Sequence, residues 1–226
     1  MESIERTIPT SGESRLQARF GTGRRAAAFE REQVLDHLNP DMWRFVARME
    51  MLFVATADAR GNCDCSLRTG PLGFIRVLDA KTLVYPEYRG NGVMASLGNI
   101  LENPHVGLVM YDFVESTIGL HVNGRASVLT NEALLERPAL PAAVAADIAV
   151  DGGRHPECWV LVEVEAAYIH CSKHVPRLVK IDKTIAWGSD DREAKGGDYF
   201  RVSARRRSLG RGQGPTDPSS GDDTGR

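Results

Sequence analysis

The spacing of apolar positions along the chain changes period at Met51. Between Phe29 and Met51, the residues Val34, Leu35, Leu38, Met42, Phe45, Val46 and Met49 recur at three- and four-residue steps, which is the signature of a helix face. Pro40 splits that stretch, and Asn39 before it is a good N-cap for a helix starting at Pro40. From Met51 the pattern is that of strands. MLFVATAD (51–58) is an apolar, β-branched run, and CDCSLRTG (63–70) alternates after the turn containing Gly61, so the two predict a hairpin. GFIRVLD (73–79) and KTLVYP (81–86) predict a second pair about Asp79 and Ala80. HVGLVMYDF (105–113), GLHVNGRASVL (119–129) and CWVLVEVEAAYIHC (158–171) predict three more strands. Residues 94–102 read as a short helix that stops before Pro104, and 131–149 as helix interrupted by Pro138 and Pro141.

At least six short strands, mostly in meander order with few helices between them, predict antiparallel pairing. The expected fold is mainly β (α+β), a small antiparallel β-barrel with helices packed outside. Residues 1–28, rich in Arg, Gly and Ser, are expected to form an N-terminal arm and residues 29–202 the barrel domain. The tail 203–226 has almost nothing to bury and is expected to be disordered.

Composition adds mainly exclusions. In 226 residues, 42% hydrophobic and 26% charged positions are ordinary for a soluble domain, and a net charge of −2 gives no pull toward nucleic acid or membrane. No run approaches the roughly 18 apolar residues of a membrane helix, and the N-terminus lacks an apolar signal region, so a cytoplasmic location is the expectation. The basic cluster Arg205, Arg206, Arg207 lacks the recognition element of a nucleic-acid binder. Cys63, Cys65, Cys158 and Cys171 lack the spacing of a structural zinc site and read as free thiols. No metal is expected.

Candidate chemistry concentrates in YPEYRGNGVMASLGNILENPHVGLVM (85–110). Arg89, Gly90, Asn91 and Gly92 follow a strand, and Ser96 and Asn99 lie on the first turns of a helix. Glycine-freed N–H groups, a helix N-terminus and an arginine make a competent phosphate cradle. GNG is also a favourable turn, so the residues alone leave a cradle and an ordinary capped loop equally open.

The ordered pieces from Phe53 to Ala126 go further. The D-x-x-G turn, the S-x-R strand, G-F-x-R-V-L-D, Y-P-x-Y-x-G-N-G, S-L-G-N-I, N-P-x-V-G-L and V-N-G-R-A together resemble the pyridoxamine 5′-phosphate oxidase-like family over about residues 45–175. The branch it resembles has no settled substrate. The resemblance implies an FMN-binding split barrel that dimerises with the flavin at the subunit interface. It implies that Ser66, Leu67, Arg68 and Thr69 line the isoalloxazine and ribityl chain, that Tyr85 and Pro86 lie against the flavin, and that Arg89 and Asn91, with Ser96 and Asn99, hold the phosphate. The helix after the GNG loop and the strand ending at Cys171 would lie near the interface.

The pattern also departs from the family. Ser66 stands where R-x-x-x-x-K begins, Pro71 near its lysine, and neither Arg177-Leu178-Val179 nor the residues after Trp187 supply the R-L-H substrate motif. This points to an FMN-dependent oxidoreductase acting on a small molecule other than pyridoxamine phosphate. The same fold in relatives carries F420 or haem, and the alternatives are an F420-dependent reductase or a non-catalytic flavin- or haem-binding carrier or sensor. His121, His170 and Lys173 are candidate substrate residues, His170 and Lys173 in the basic run YIHCSKHVPRLVK (168–180); an acid–base pair is not legible.

Overall fold

The structure is a computed structural model that describes residues 10–210. This stretch divides at Gly188 and Ser189 into two compact units. In the first, helices α1 (Ser11–Phe20) and α2 (Gly23–Gln33) precede a short strand β1 (Val34–Leu35) and helix α3 (Pro40–Val46). Asn39 caps α3 as its sequence predicts, with Oδ1 accepting from the Met42 N–H at 2.9 Å. Strands β2 (Met51–Ala57) and β3 (Cys63–Thr69) form the expected hairpin, as do β4 (Arg76–Asp79) and β5 (Thr82–Tyr88). Then follow α4 (Ala95–Glu102), β6 (His105–Tyr111), β7 (Gly119–Leu129), α5 (Asn131–Leu135), α6 (Ala142–Ile148) and β8 (Pro156–His170).

All pairings are antiparallel, in the order β3-β2-β6-β7-β8-β5-β4, with β1 added to β8. The hairpins are local, as predicted, but the order between them is not a meander. β5 pairs with β8 over seven register positions, and β6 pairs with β2. β3 and β4 end the path and do not pair with each other, so the barrel is split.

Period-2 alternation sorts the side chains. Leu52, Val54, Leu108, Met110, Val122, Val160 and Val162 face inward to the main core, closed at one side by Leu97 and Ile100 of α4. Val84, Trp159 and Leu161 face the other side of β5 and β8 and are covered by Leu134 of α5 and Val144 of α6. The outer face of the other strands carries a cross-strand row, Leu67–Phe53–Val109–His121–Tyr168. Small residues, Ala55 and Gly107, lie beside it.

The N-terminal region expected to be a loose arm forms α1 and α2 from residue 11 onward; α1 has a full capping box between Thr10 and Glu13. In the second unit, Asp198 accepts from the N–H groups of Ser203 and Ala204 at the start of α7 (Val202–Gly210). Residues 203–210 of the tail expected to be disordered are therefore helical, and its remainder, 211–226, lies outside the described residues. No helix among the described residues is long and apolar enough to cross a membrane.

Candidate functional site

β3 is an edge strand whose inner face is polar. Asp64, Ser66 and Arg68 oppose Thr56, Val54 and Leu52 of β2, so they share the face that β2 devotes to the core. Such groups need polar partners or solvent, and here they line a cleft at the split of the barrel. The far wall is β5 with the loop 88–94, the end is the first turn of α4, and Glu157 of β8 with residues 185–188 completes the lining. The cleft measures about 590 Å³, within the roughly 300–1,000 Å³ of small-molecule sites.

Two carboxylate clusters organise it. Arg68 Nε donates to Glu87 Oε1 at 2.6 Å, joining the strand at one end of the sheet to the one next to the other end. The two side chains are only 20% and 11% exposed. Burial pushes the Glu87 carboxyl above its ordinary range and outweighs the pull of Arg68. Nearer α4, Asp64 Oδ2 accepts from Ser96 Oγ at 2.7 Å and Ser66 Oγ at 2.9 Å. Those hydroxyls hold the Asp64 carboxyl below its usual value.

The loop into α4 is shaped by its own residues. Gly92 takes a left-handed φ of 77°, and Met94 at the N-cap is also left-handed and offers no side-chain cap. Asn91 Oδ1 accepts from the Val93 N–H at 2.9 Å. The wall at 185–188 depends on Gly153, because a Cβ there would lie 1.9 Å from the Trp187 carbonyl oxygen. Trp187 in turn meets Tyr88 edge-on, with ring centroids 5.0 Å apart.

Of the residues expected to hold a cofactor, Ser66, Leu67, Arg68, Thr69, Pro86, Arg89, Asn91 and Ser96 line this cleft. Tyr85 and Asn99 do not. Tyr85 alternates inward on β5, fully buried in the main core, and its hydroxyl has no hydrogen-bond partner among the described residues. Asn99 sits one turn into α4 and donates from Nδ2 to Thr56 Oγ1 at 3.0 Å, between helix and sheet.

The expected substrate residues stand elsewhere. His121 Nε2 lies 2.9 Å from His170 Nδ1, and the Tyr111 hydroxyl 3.2 Å from the same atom. His121 stacks on Tyr168 at 4.8 Å, and burial, then the neighbouring His170, lowers its pKa. Three strand steps separate Leu67 from His121 in the outer row, roughly 14 Å at ~4.8 Å per strand. Lys173 is exposed in the short helical turn Ser172–His174. Within one chain these groups do not meet the cleft.

Sequence reasoning missed Asp64, Glu87, Glu157 and Trp187. The first carried a legible signal, since Asp64-x-Ser66-x-Arg68 puts three polar groups on one face of a strand. Glu87 and Trp187 carried none, because their neighbours in the cleft come from distant segments.

The family model for pyridoxamine 5′-phosphate oxidase matches residues 38–171, more than half of the chain. Among curated proteins none matches. Similar solved structures include HupZ from Group A Streptococcus, at 22% identity over 57% of this chain and 91% of that one, with a TM-score of 0.43. HutZ, the heme storage protein from Vibrio cholerae, is 14% identical over 59% of this chain and 93% of that one, with a TM-score of 0.38. An F420 reductase is 13% identical over 57% and 98%, with a TM-score of 0.37. Likenesses this distant carry no inference about cofactor or substrate.

Proposed function

Because the chain belongs to the pyridoxamine 5′-phosphate oxidase family, we propose that its cleft binds FMN and that the protein is a flavin-dependent oxidoreductase acting on a small molecule. The observation that carries this reading is the donor set at the split of the barrel. Arg68 and Arg89, with Thr69 and the glycine-rich loop 90–92, line one cleft of a volume suited to a nucleotide-sized ligand. Two guanidinium groups are the charge-assisted donors a phosphate monoester requires. The Ser96 and Ser66 hydroxyls are engaged by Asp64, an ionised carboxylate that repels phosphate. The phosphate therefore belongs toward the arginines, with the α4 end left to hydroxyl-bearing or ring atoms. Bound flavin supplies the two-electron chemistry; the protein positions the ring, excludes water and supplies hydrogen bonds.

The outer sheet face is best occupied by a second copy of the chain. Leu67, half exposed, and Thr69 belong both to the cleft lining and to that face or its margin. A homodimer through the row Leu67–Phe53–Val109 would wall the cleft and cover apolar surface that otherwise meets water. Phe53→Glu is expected to give a monomer in analytical ultracentrifugation with far-ultraviolet circular dichroism unchanged. A dimer that survives this substitution would assign the contact to another face.

The cofactor test is the visible spectrum of the purified protein with mass identification of what heat releases. FMN is expected, and Arg89→Ala is expected to weaken its binding about 10–100-fold, the loss of one charge-assisted contact. A Soret band would make the protein a haem binder, and released F420 would make it a deazaflavin enzyme.

A further inference from the structure

We propose that binding of a phosphate-bearing ligand in the cleft is coupled to uptake of a proton by Glu87, because the ligand draws on Arg68, the cation that keeps this carboxylate ionised. This rests on the cleft being the ligand site, as proposed above.

The geometry is that of a clasp across the split. Glu87 projects from the same face of β5 as Leu83 and Tyr85, toward the interior, and its residue is only 9% exposed. Arg68 reaches it from the edge strand β3. Among the described residues, the other groups that act on Glu87 from β5 and β8 are acidic or neutral. Glu157 and Cys158 approach from β8, and Tyr85 from its own strand. Asp64 lies beside Arg68 on β3, and Arg89 lies in the loop beyond Tyr88 on the cleft wall. α4 presents the neutral Ser96, and residues 185–188 bring no charge.

A phosphate dianion that shares or takes the guanidinium does two things to Glu87. It withdraws a compensating cation, and it places negative charge nearby. Both disfavour the carboxylate at a site where burial already does so. The carboxyl group then binds a proton from solvent, and no bond to the ligand forms or breaks. A carboxyl protonated in the bound state makes binding tighten as pH falls and weaken as pH rises, by up to about tenfold per unit. The effect is best read above pH ~7, where a phosphate monoester with a second pKa near 6 is already a dianion.

The experiment is calorimetric titration of FMN into the full chain, freed of bound ligand, between pH 7 and 9 in buffers of different ionisation enthalpy. Net proton uptake on binding is expected, with affinity falling as pH rises. Glu87→Gln is expected to bind FMN more tightly, with no proton uptake and a flat pH profile. If that variant does not fold, the buffer dependence of the wild-type heat decides alone. FMN that binds without proton uptake overturns the inference and leaves the cofactor reading intact. FMN that does not bind removes the cofactor reading, and inorganic phosphate then becomes the probe, read only at the alkaline end of this range where it is itself a dianion. Phosphate binding with proton uptake abolished in Glu87→Gln supports the inference, whereas phosphate binding without uptake, or no phosphate binding, overturns it.

Discussion

Trp159→Ala is expected to lower stability by about 3–5 kcal/mol, a fall in Tm of roughly 10 °C for a chain of this size. Trp159 is fully buried among Val84, Leu161, Leu134 and Val144, where β5 and β8 meet α5 and α6. Alanine would leave a void lined on two sides by strands that are paired elsewhere and cannot collapse into it. The substitution also strands Asn131 at the start of α5, whose Oδ1 accepts from Trp159 Nε1 at 2.8 Å. Asn131 also donates to the Pro156 carbonyl at 2.9 Å, so α5 loses one of these two ties to the strand it covers and keeps the other. Trp159→Phe separates the two contributions. It keeps most of the packing and should lose only about 1 kcal/mol. Thermal unfolding of both variants checks this, and an alanine variant as stable as the phenylalanine one would show that the packing contributes little.

The second large effect is expected at Asp112, which is 9% exposed. Its carboxylate accepts from the N–H groups of Val114, Glu115 and Ser116 at 3.1, 2.9 and 2.9 Å, and from Ser116 Oγ at 2.7 Å. Arg48 lies 3.1 Å away. These contacts fix the turn between β6 and β7, in which Thr117 is held at a left-handed φ of 55°. Asp112→Ala leaves several donors unpaired and is expected to cost about 2–4 kcal/mol. Burial raises the carboxyl pKa, but the Glu115 and Ser116 donors outweigh it, so the net shift is strongly downward. A carboxyl depressed in the folded state contributes its stability above the unfolded value and loses it as pH falls. The advantage of the wild type over Asp112→Asn should therefore be full near pH 7 and shrink below about pH 4. Denaturant midpoints of the two proteins across pH 7 to 3 measure it; a gap that stays constant or widens in acid would contradict the assignment.

The local structure was legible in the chain because its signals are local. Asn39 before Pro40 caps α3, the alternation in 63–69 gives β3, and the turns after Ala57 and Asp79 close two hairpins. The antiparallel class followed, as did the family, from motifs in fixed order. Several cleft residues were also legible, because the resemblance to the family implied Ser66, Leu67, Arg68 and Thr69 on one short strand, and it decided for Arg89, Asn91 and Ser96 what the loop and helix alone leave open.

What the chain could not announce was which distant strands pair. The meander expectation failed at β5, which joins β8 across some seventy residues, because pairing between remote strands is decided by the sum of core burial rather than by any turn. That one pairing determines the rest. It turns Tyr85 into the core and Glu87 toward the split, brings Arg68 across to meet Glu87, and sets Trp159 under α5 and α6. It also leaves His121 and His170 on the outer face, three strands from the cleft. The sequence by itself determined neither helices α1, α2 and α7 nor strand β1, where Val34 and Leu35 read as part of a helix face. It did determine the main strands with their hairpins, helices α3 and α4, the family and the polar face of β3. Only the tertiary structure decided that this face opens on the split of the barrel, because a strand acquires an edge only when the whole sheet has been assembled around it.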